Sequence, residues 1–458
     1  MVKMKIAMVF GKGLDGCGVE KYAAVFKDYL KEDIDIYNLL EHKYTRGGYH
    51  LGDRRIDFIP EEIESIAQKL NEYDIVIYNS YAFHANEPST VRSFFFDLIE
   101  KVTKPITVGM MHEIKKMNYE KIPMLVAITN SVDQMYNFST HSDYSKAAIN
   151  ILQHKPDRIR KFRMPMNINY SSVPFSEKEK RIIYAGRWTT MKGPRRLLNF
   201  LDIPNNEFKS LLIGIEKSIG AKTDILDHPN AIFFKKTKDF INFDNFKEDV
   251  KINNVFGPYK YEFGQDLIRK SMFGYSGFTL PKEPQNYGDR MEFQQMEIFI
   301  NGTLPVFDRH YGENNFDSTG KRFIDNKKIA LWSSKPDLSD VYDDMIKISK
   351  DEDLYNEYIQ NGKEFIYREV SSDIVIPEFI DEIVKVGKEK NKLSFEELIK
   401  RTHGEDGYKN FTQMANEFPN NSLSFNIKDC VRKEISYFVN TKKRQVYTIK
   451  TTETLNDW

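Results

Sequence analysis

Three stretches of the chain combine residue types and spacings suited to chemistry on a phosphorylated substrate. In "GKGLDGCG", residues 11–18, the glycines Gly11, Gly13 and Gly16 stand in G-x-G-x-x-G order ahead of an amphipathic segment from Gly18. Glycines let the backbone turn tightly and approach a ligand, and the N–H groups and positive dipole end of a following helix attract phosphate oxygens. A tight turn with no ligand has the same signature. In "YAGRWTTMKGPRRLLNF", Gly186 and Arg187 end an apolar run, and Lys192 and Gly193 precede a helical pattern carrying Leu197 and Leu198. A guanidinium fork and a compact ammonium together can clamp a diphosphate, although a surface cation pair without a ligand is the alternative. In "NYGDRMEFQQMEIFINGTLPVF", Asp289, Glu292 and Glu297 fall on a helical pattern that leads through Gly302 into a strand. This spacing predicts a helix whose N-terminus, at Tyr287-Gly288-Asp289, offers a phosphate site. Its carboxylates suit ribose hydroxyls, unless the face is simply acidic and solvated.

A further candidate is "VGMMHE", where His112 and Glu113 end an apolar run. A histidine backed by a carboxylate can orient or deprotonate a hydroxyl, or be no more than a hydrogen-bonded residue at a strand end. Metal chemistry has no comparable signature. Cys17 and Cys430 are the only cysteines, and no Cys/His cluster has zinc spacing, so neither a disulfide framework nor a structural metal is expected, and a reducing compartment fits.

The elements that must position these groups alternate regularly. Apolar runs at 5–10, 33–40, 74–80, 105–111 and 123–129, separated by helical patterns, predict parallel βαβ units. The polar, proline-containing segment 155–180 interrupts the rhythm, which restarts at "RIIYAG", "SLLIGI", "AIFFKK", "SGFTLP" and "GTLPVF". The expectation is therefore an α/β chain of two doubly wound, Rossmann-like parallel-sheet domains. Their expected bounds are 1–165 and 181–365, with a hinge at 166–180, a closing helix at 366–390 and an extension at 391–458.

With 67 Lys+Arg against 67 Asp+Glu, no global field points to a polyanion or an anionic membrane, so such partners would be met by local clusters. Basic clusters occur in "KPDRIRKFR" (155–163), at Arg195-Arg196, and in the tail at Lys442, Lys443 and Arg444. No apolar run approaches the roughly 20 residues that span a bilayer, and no export signal opens the chain. Glu41, at the end of the second strand, would hold a ribose hydroxyl if the glycine loop served a nicotinamide dinucleotide. An NAD-dependent oxidoreductase is therefore one alternative.

"GR" and then "KG" after a strand, with a helical Glu before "GTLPV", resembles the nucleotide-sugar side of two-domain glycosyltransferases of the GT-B type. "KGLDGCGVEKY", "GRWTTMKG", "KSMFGY" and "MEFQQMEIFINGTLPVF", in that order, resemble the DNA α-glucosyltransferase family of T-even bacteriophages. The resemblance implies transfer of a sugar from a UDP-sugar, glucose or a pentose such as arabinose, to the hydroxyl of a modified cytosine in double-stranded DNA, with retention. The modified base would be hydroxymethylcytosine or hydroxycytosine. It also implies that Gly16, Gly18, Gly186 and Tyr287 face the donor, that Arg187 and Lys192 neutralise its diphosphate, and that Glu297 holds the ribose. Glu292 would approach the sugar and His112 with Glu113 would serve the acceptor, where the family has His-Asp. Arg195, Arg196 and the tail cations would touch DNA phosphates. The same resemblance implies a monomer in the cytoplasm of an infected host that needs no cofactor or metal and no membrane. A GT-B enzyme acting on a lipid or polysaccharide, and a DNA-binding protein with an inactive transferase fold, are the remaining alternatives.

Overall fold

The computed structural model describes residues 4–10, 18–39, 51–58, 62–79, 98–99, 101–111, 132–137, 159–186, 195–213, 231–232, 261–277, 291–388 and 405–406. The chain divides into two compact units, Met1–Phe162 with Ile376–Trp458, and Arg163–Val375. The expected hinge, 166–180, thus falls inside the second unit, and the expected closing helix divides at 375, its later part counting with the first unit.

The first unit contains a seven-stranded sheet in the order β3-β2-β1-β4-β5-β6-β7. Its strands are β1 Ile6–Phe10, β2 Ile34–Leu39, β3 Arg55–Phe58, β4 Ile75–Asn79, β5 Ile106–Met111, β6 Gln134–Asn137 and β7 Ile159–Lys161. Every pairing is parallel. All five residues of β1 and of β4 are buried, as expected of central strands covered on both faces. Gly18–Leu30 forms helix α1 and Ile63–Leu70 helix α2.

The returning helix, Ser372–Val386, is locked to this sheet from residue 376 onward. The Phe379 ring lies 4.4 Å from that of Phe162 and 4.9 Å from that of Tyr136. The Gln134 amide donates to the carbonyls of Ile383 and Gly387, each at 2.8 Å, at the end of the helix. Gly387, at φ +63°, supplies the left-handed residue that ends the helix.

The second unit holds a six-stranded parallel sheet in the order β10-β9-β8-β11-β12-β13. Its strands are β8 Glu179–Ala185, β9 Lys209–Ile213, β10 Ala231–Ile232, β11 Ser271–Ser276, β12 Leu304–Asp308 and β13 Leu331–Ser333. Helices α3 Arg195–Leu201, α4 Tyr261–Lys270, α5 Phe293–Ile300 and α6 Arg309–Asn314 connect them. The strand β11 is "SMFGYS" and meets the expected "SGFTLP" at Ser276, residues 278–281 lying outside the described residues; Gly274 lets α5 lie directly on β11, since a Cβ at Gly274 would come within 2.8 Å of Ile298. One sequence expectation is corrected here. The helix expected to begin at Tyr287-Gly288-Asp289 begins at Phe293, with Glu292 as its N-cap.

A buried cation sits beneath the α5–β12 turn. The Lys178 ammonium donates to the carbonyls of Arg269 and Gly302, both at 2.6 Å, and faces the Tyr355 ring. Burial, with Arg269 and Lys363 nearby, pushes Lys178 down from 10.5 to about 7. Below about 7 both folded and unfolded chains carry the proton and the cost of the buried charge is felt in full. Between 7 and 10.5 the unfolded chain holds more protons, so this residue makes stability rise with pH, by up to about 1.4 kcal/mol per unit. Lys178→Met should flatten that rise, as read by urea denaturation at pH 7, 8.5 and 10; an unchanged slope would show that Lys178 does not titrate in this window.

Candidate active site

In an open parallel sheet, ligands bind at the carboxyl ends of the strands where the strand order reverses. In the second unit that point lies between β8 and β11, and the residues gathered there come from these two strands and α5. Gly186 follows β8 and stays in register through its N–H to the Ile213 carbonyl, at 2.9 Å. Gly277 follows β11 and has no room for a side chain, since a Cβ there would overlap the Tyr275 hydroxyl. The first turn of α5 covers both strands. Gln294, largely buried, lays its amide on Gly186, with Oε1 3.0 Å from where a Cβ would be, and its Nε2 points to the Tyr275 carbonyl at 3.4 Å.

The N-terminus of α5 is well formed. Glu292 and Gln295 make a capping box, with the Glu292 N–H donating to the Gln295 side chain at 2.8 Å. The carboxylate expected to approach a sugar is therefore engaged in ending a helix, a role that still leaves acceptor capacity on its two oxygens. Glu297 lies one turn along from Gln294 and is buried. It belongs to the same helix as the capping box.

The Arg196 guanidinium donates to the Asp308 carboxylate at 2.6 Å, with the two side chains only 12% and 10% exposed. Burial alone would lower the Arg196 pKa, but Tyr275 and Asp308 beside it more than reverse this, so the cation is held. The side chain expected among the DNA contacts thus has its Nη1 bonded to a buried carboxylate. Arg195 opens α3. Arg187, Lys192, Tyr287 and the tail residues Lys442, Lys443 and Arg444 lie outside the described residues.

In the first sheet the order reverses between β1 and β4. Gly18 is the first residue of α1, the helix that follows β1. The adjoining Glu20 is fully buried and accepts from the Leu51 N–H at 3.1 Å, so it serves the fold. Gly16, Glu41, His112 and Glu113 lie outside the described residues, the last two directly after Met111 at the end of β5. Among the described residues there is no cluster of three or more His, Cys, Asp or Glu placed to hold a metal ion, and no helix long and apolar enough to cross a membrane. Gln294, Tyr275, Gly277 and Asp308 were not singled out by sequence reasoning. Of these only Asp308, a helix cap after a strand, had a local signal.

Two such sheets, each reversing at its first strand, have counterparts in known proteins. The chain is 22% identical over 417 residues to the DNA alpha-glucosyltransferase of Enterobacteria phage T4, covering 83% of this chain and all of that protein. The chain resembles this phage DNA α-glucosyltransferase and has the GT-B fold. A solved alpha-glucosyltransferase in complex with UDP superimposes with a TM-score of 0.68 at 19% identity, over 83% of this chain and 100% of that one. A second, with UDP-glucose and DNA containing an abasic site, gives the same score over 83% and 99%. HepE of Anabaena, in complex with UDP and glucose, shares the GT-B fold at a TM-score of 0.55 and 11% identity, over 83% and 99%. No protein-family model matches the chain.

Proposed function

We propose that the protein is a DNA-modifying glycosyltransferase, moving glucose from UDP-glucose to the hydroxyl of hydroxymethylcytosine in double-stranded DNA with retention at the anomeric carbon. The observation that carries this reading is the similarity to the T4 enzyme over that protein's whole length. The glycine-lined crevice between β8 and β11 supports it, because there a backbone can approach a nucleotide closely.

In this reading the bond from the sugar's C1 to the diphosphate oxygen breaks, and its electron pair leaves with UDP. Arg187 and Lys192 neutralise the charge that develops on the diphosphate, the electrostatic part of catalysis. The acceptor oxygen forms the new bond to C1, and its proton passes to a base for which His112, backed by Glu113, is the candidate. Glu297 serves the ribose, Glu292 and Tyr287 serve the sugar and phosphate, and Gly16 and Gly18 serve the donor. The acceptor base must leave the duplex stack to be reached. We further propose that the enzyme acts as a monomer in the cytoplasm of an infected host.

The test is incubation with UDP-glucose, UDP-arabinose and other UDP-sugars on DNA carrying cytosine, hydroxymethylcytosine or hydroxycytosine, read by nucleoside mass. Glucosylated hydroxymethylcytosine is the expected product. A pentose adduct or a hydroxycytosine adduct would replace the sugar or base named here, and donor hydrolysis without any DNA adduct would remove DNA as the acceptor. Stabilisation by NAD and not by UDP would remove the transferase reading altogether.

Gly186 gives a local check. Gly186→Ala puts a methyl against the Gln294 amide, the movable end of a side chain. Stability should therefore change by less than about 1 kcal/mol, while the Michaelis constant for UDP-glucose rises. An unchanged Michaelis constant would place the donor elsewhere.

A further inference from the structure

We propose that Gln294 is a donor-specificity residue, whose side-chain oxygen reads a hydroxyl of the nucleotide sugar in the crevice between β8 and β11. The inference deepens the donor-site reading above and rests on it. Gln294 stands in the first turn of α5 and is 8% exposed. Its carboxamide spans the two strands that part at the order reversal. On one side Oε1 lies 3.0 Å from the place a Gly186 Cβ would take, so the missing side chain there is what lets the amide settle. On the other side Nε2 faces the Tyr275 carbonyl at 3.4 Å. A carbonyl only accepts, so this contact fixes which end of the amide is nitrogen and which is oxygen. The helix that carries the amide is itself held, by the capping box at Glu292 and Gln295 and by Ile298, one turn on, against Gly274.

Among the described residues no donor meets Oε1. An amide oxygen so largely buried and unmatched is uncommon, because its desolvation goes uncompensated. A second unmatched group lies at the same strand end. The Tyr275 hydroxyl, set against Gly277, is buried beside the Arg196 guanidinium, itself a donor, and finds no acceptor for its proton. What a ligand must bring to the Gln294 oxygen is a hydrogen, which excludes ionised phosphate oxygens and carbonyls. Glu297 follows three residues later on the same helix, hence on the same side, and is the carboxylate to which the ribose is assigned above. The acceptor beside it is therefore matched to a hydroxyl, on the ribose or on the transferred sugar. A site built to bond a hydroxyl rejects the analogue that lacks it, because the acceptor is then left unpaired.

Gln294→Met in the full-length protein tests this, because methionine is similar in length and volume and carries no amide. Calorimetry gives the affinities for UDP, 2′-deoxy-UDP, 3′-deoxy-UDP and UDP-glucose. The unaltered protein should prefer UDP to one of its deoxy analogues, or UDP-glucose to UDP, and the substitution should shrink that preference roughly three- to tenfold. Shrinkage of the first preference puts the hydroxyl on the ribose, and of the second on the sugar. Unchanged preferences in the folded variant would overturn the proposal. So would equal weakening for every ligand, which would leave Gln294 a structural contact. Should Gln294→Met fail to fold, Gln294→Asn, which draws the amide back by one methylene, gives the same comparison. If the unaltered protein itself binds neither UDP nor UDP-glucose, the donor-site reading fails instead, so the two failures are distinguishable.

Discussion

Arg187→Ala and Lys192→Ala should each reduce kcat/KM for UDP-glucose on the order of a hundredfold, while the protein remains folded. The magnitude follows from the stage at which these cations act. Charge on the diphosphate grows as the glycosidic bond breaks, and removing one fixed donor from such a site typically costs roughly 10² to 10³ in rate. Stability should be little affected, because the two residues belong to a connection and not to the buried strands of the second sheet. The double variant should lose less than the product of the single losses, since the two groups act on one leaving group. Donor hydrolysis and transfer to DNA should fall together, because both pass through the same departure of UDP. Unaltered turnover in both single variants would remove the diphosphate clamp.

The largest effect on stability is expected for Gly302→Ala, about 2–5 kcal/mol by urea denaturation. Gly302 has φ +59°, and an added Cβ would come within 2.5 Å of the Ser172 Cβ. A left-handed backbone at a residue other than glycine costs about 1–2 kcal/mol, and overpacking costs about 1–3 kcal/mol. The position admits no easy shift, because the Gly302 carbonyl accepts from Lys178 at 2.6 Å and from the Tyr355 hydroxyl at 3.0 Å. Adding Ser172→Gly should recover the steric part and leave the backbone part. A loss below about 0.5 kcal/mol would mean that the turn relaxes freely.

The strands whose burial is continuous were legible. "KIAMVF", "DIVIYNS" and "RIIYAG" are apolar runs of the right length, and they became the central strands β1, β4 and β8. β11 was not legible in the same way. Its sequence "SMFGYS" has serine at both ends and a glycine inside, so its apolar run is broken, and what makes it a strand is its pairing with β8 and β12. β13 is only three residues long and is defined by its neighbour β12. The start of α5 was placed too early because Asp289 and Glu292 both suit a first helical turn, and only the capping box selects Glu292.

Sequence alone determined the α/β class and the family resemblance, because these depend on local residue types and their order. The tertiary structure decided which cations and amides share the crevice. Gln294 reached Gly186 through the docking of a helix on two strands, and Arg196 was turned from solvent to Asp308 by a strand more than a hundred residues later. Such pairings depend on where separate elements pack, which no local pattern encodes.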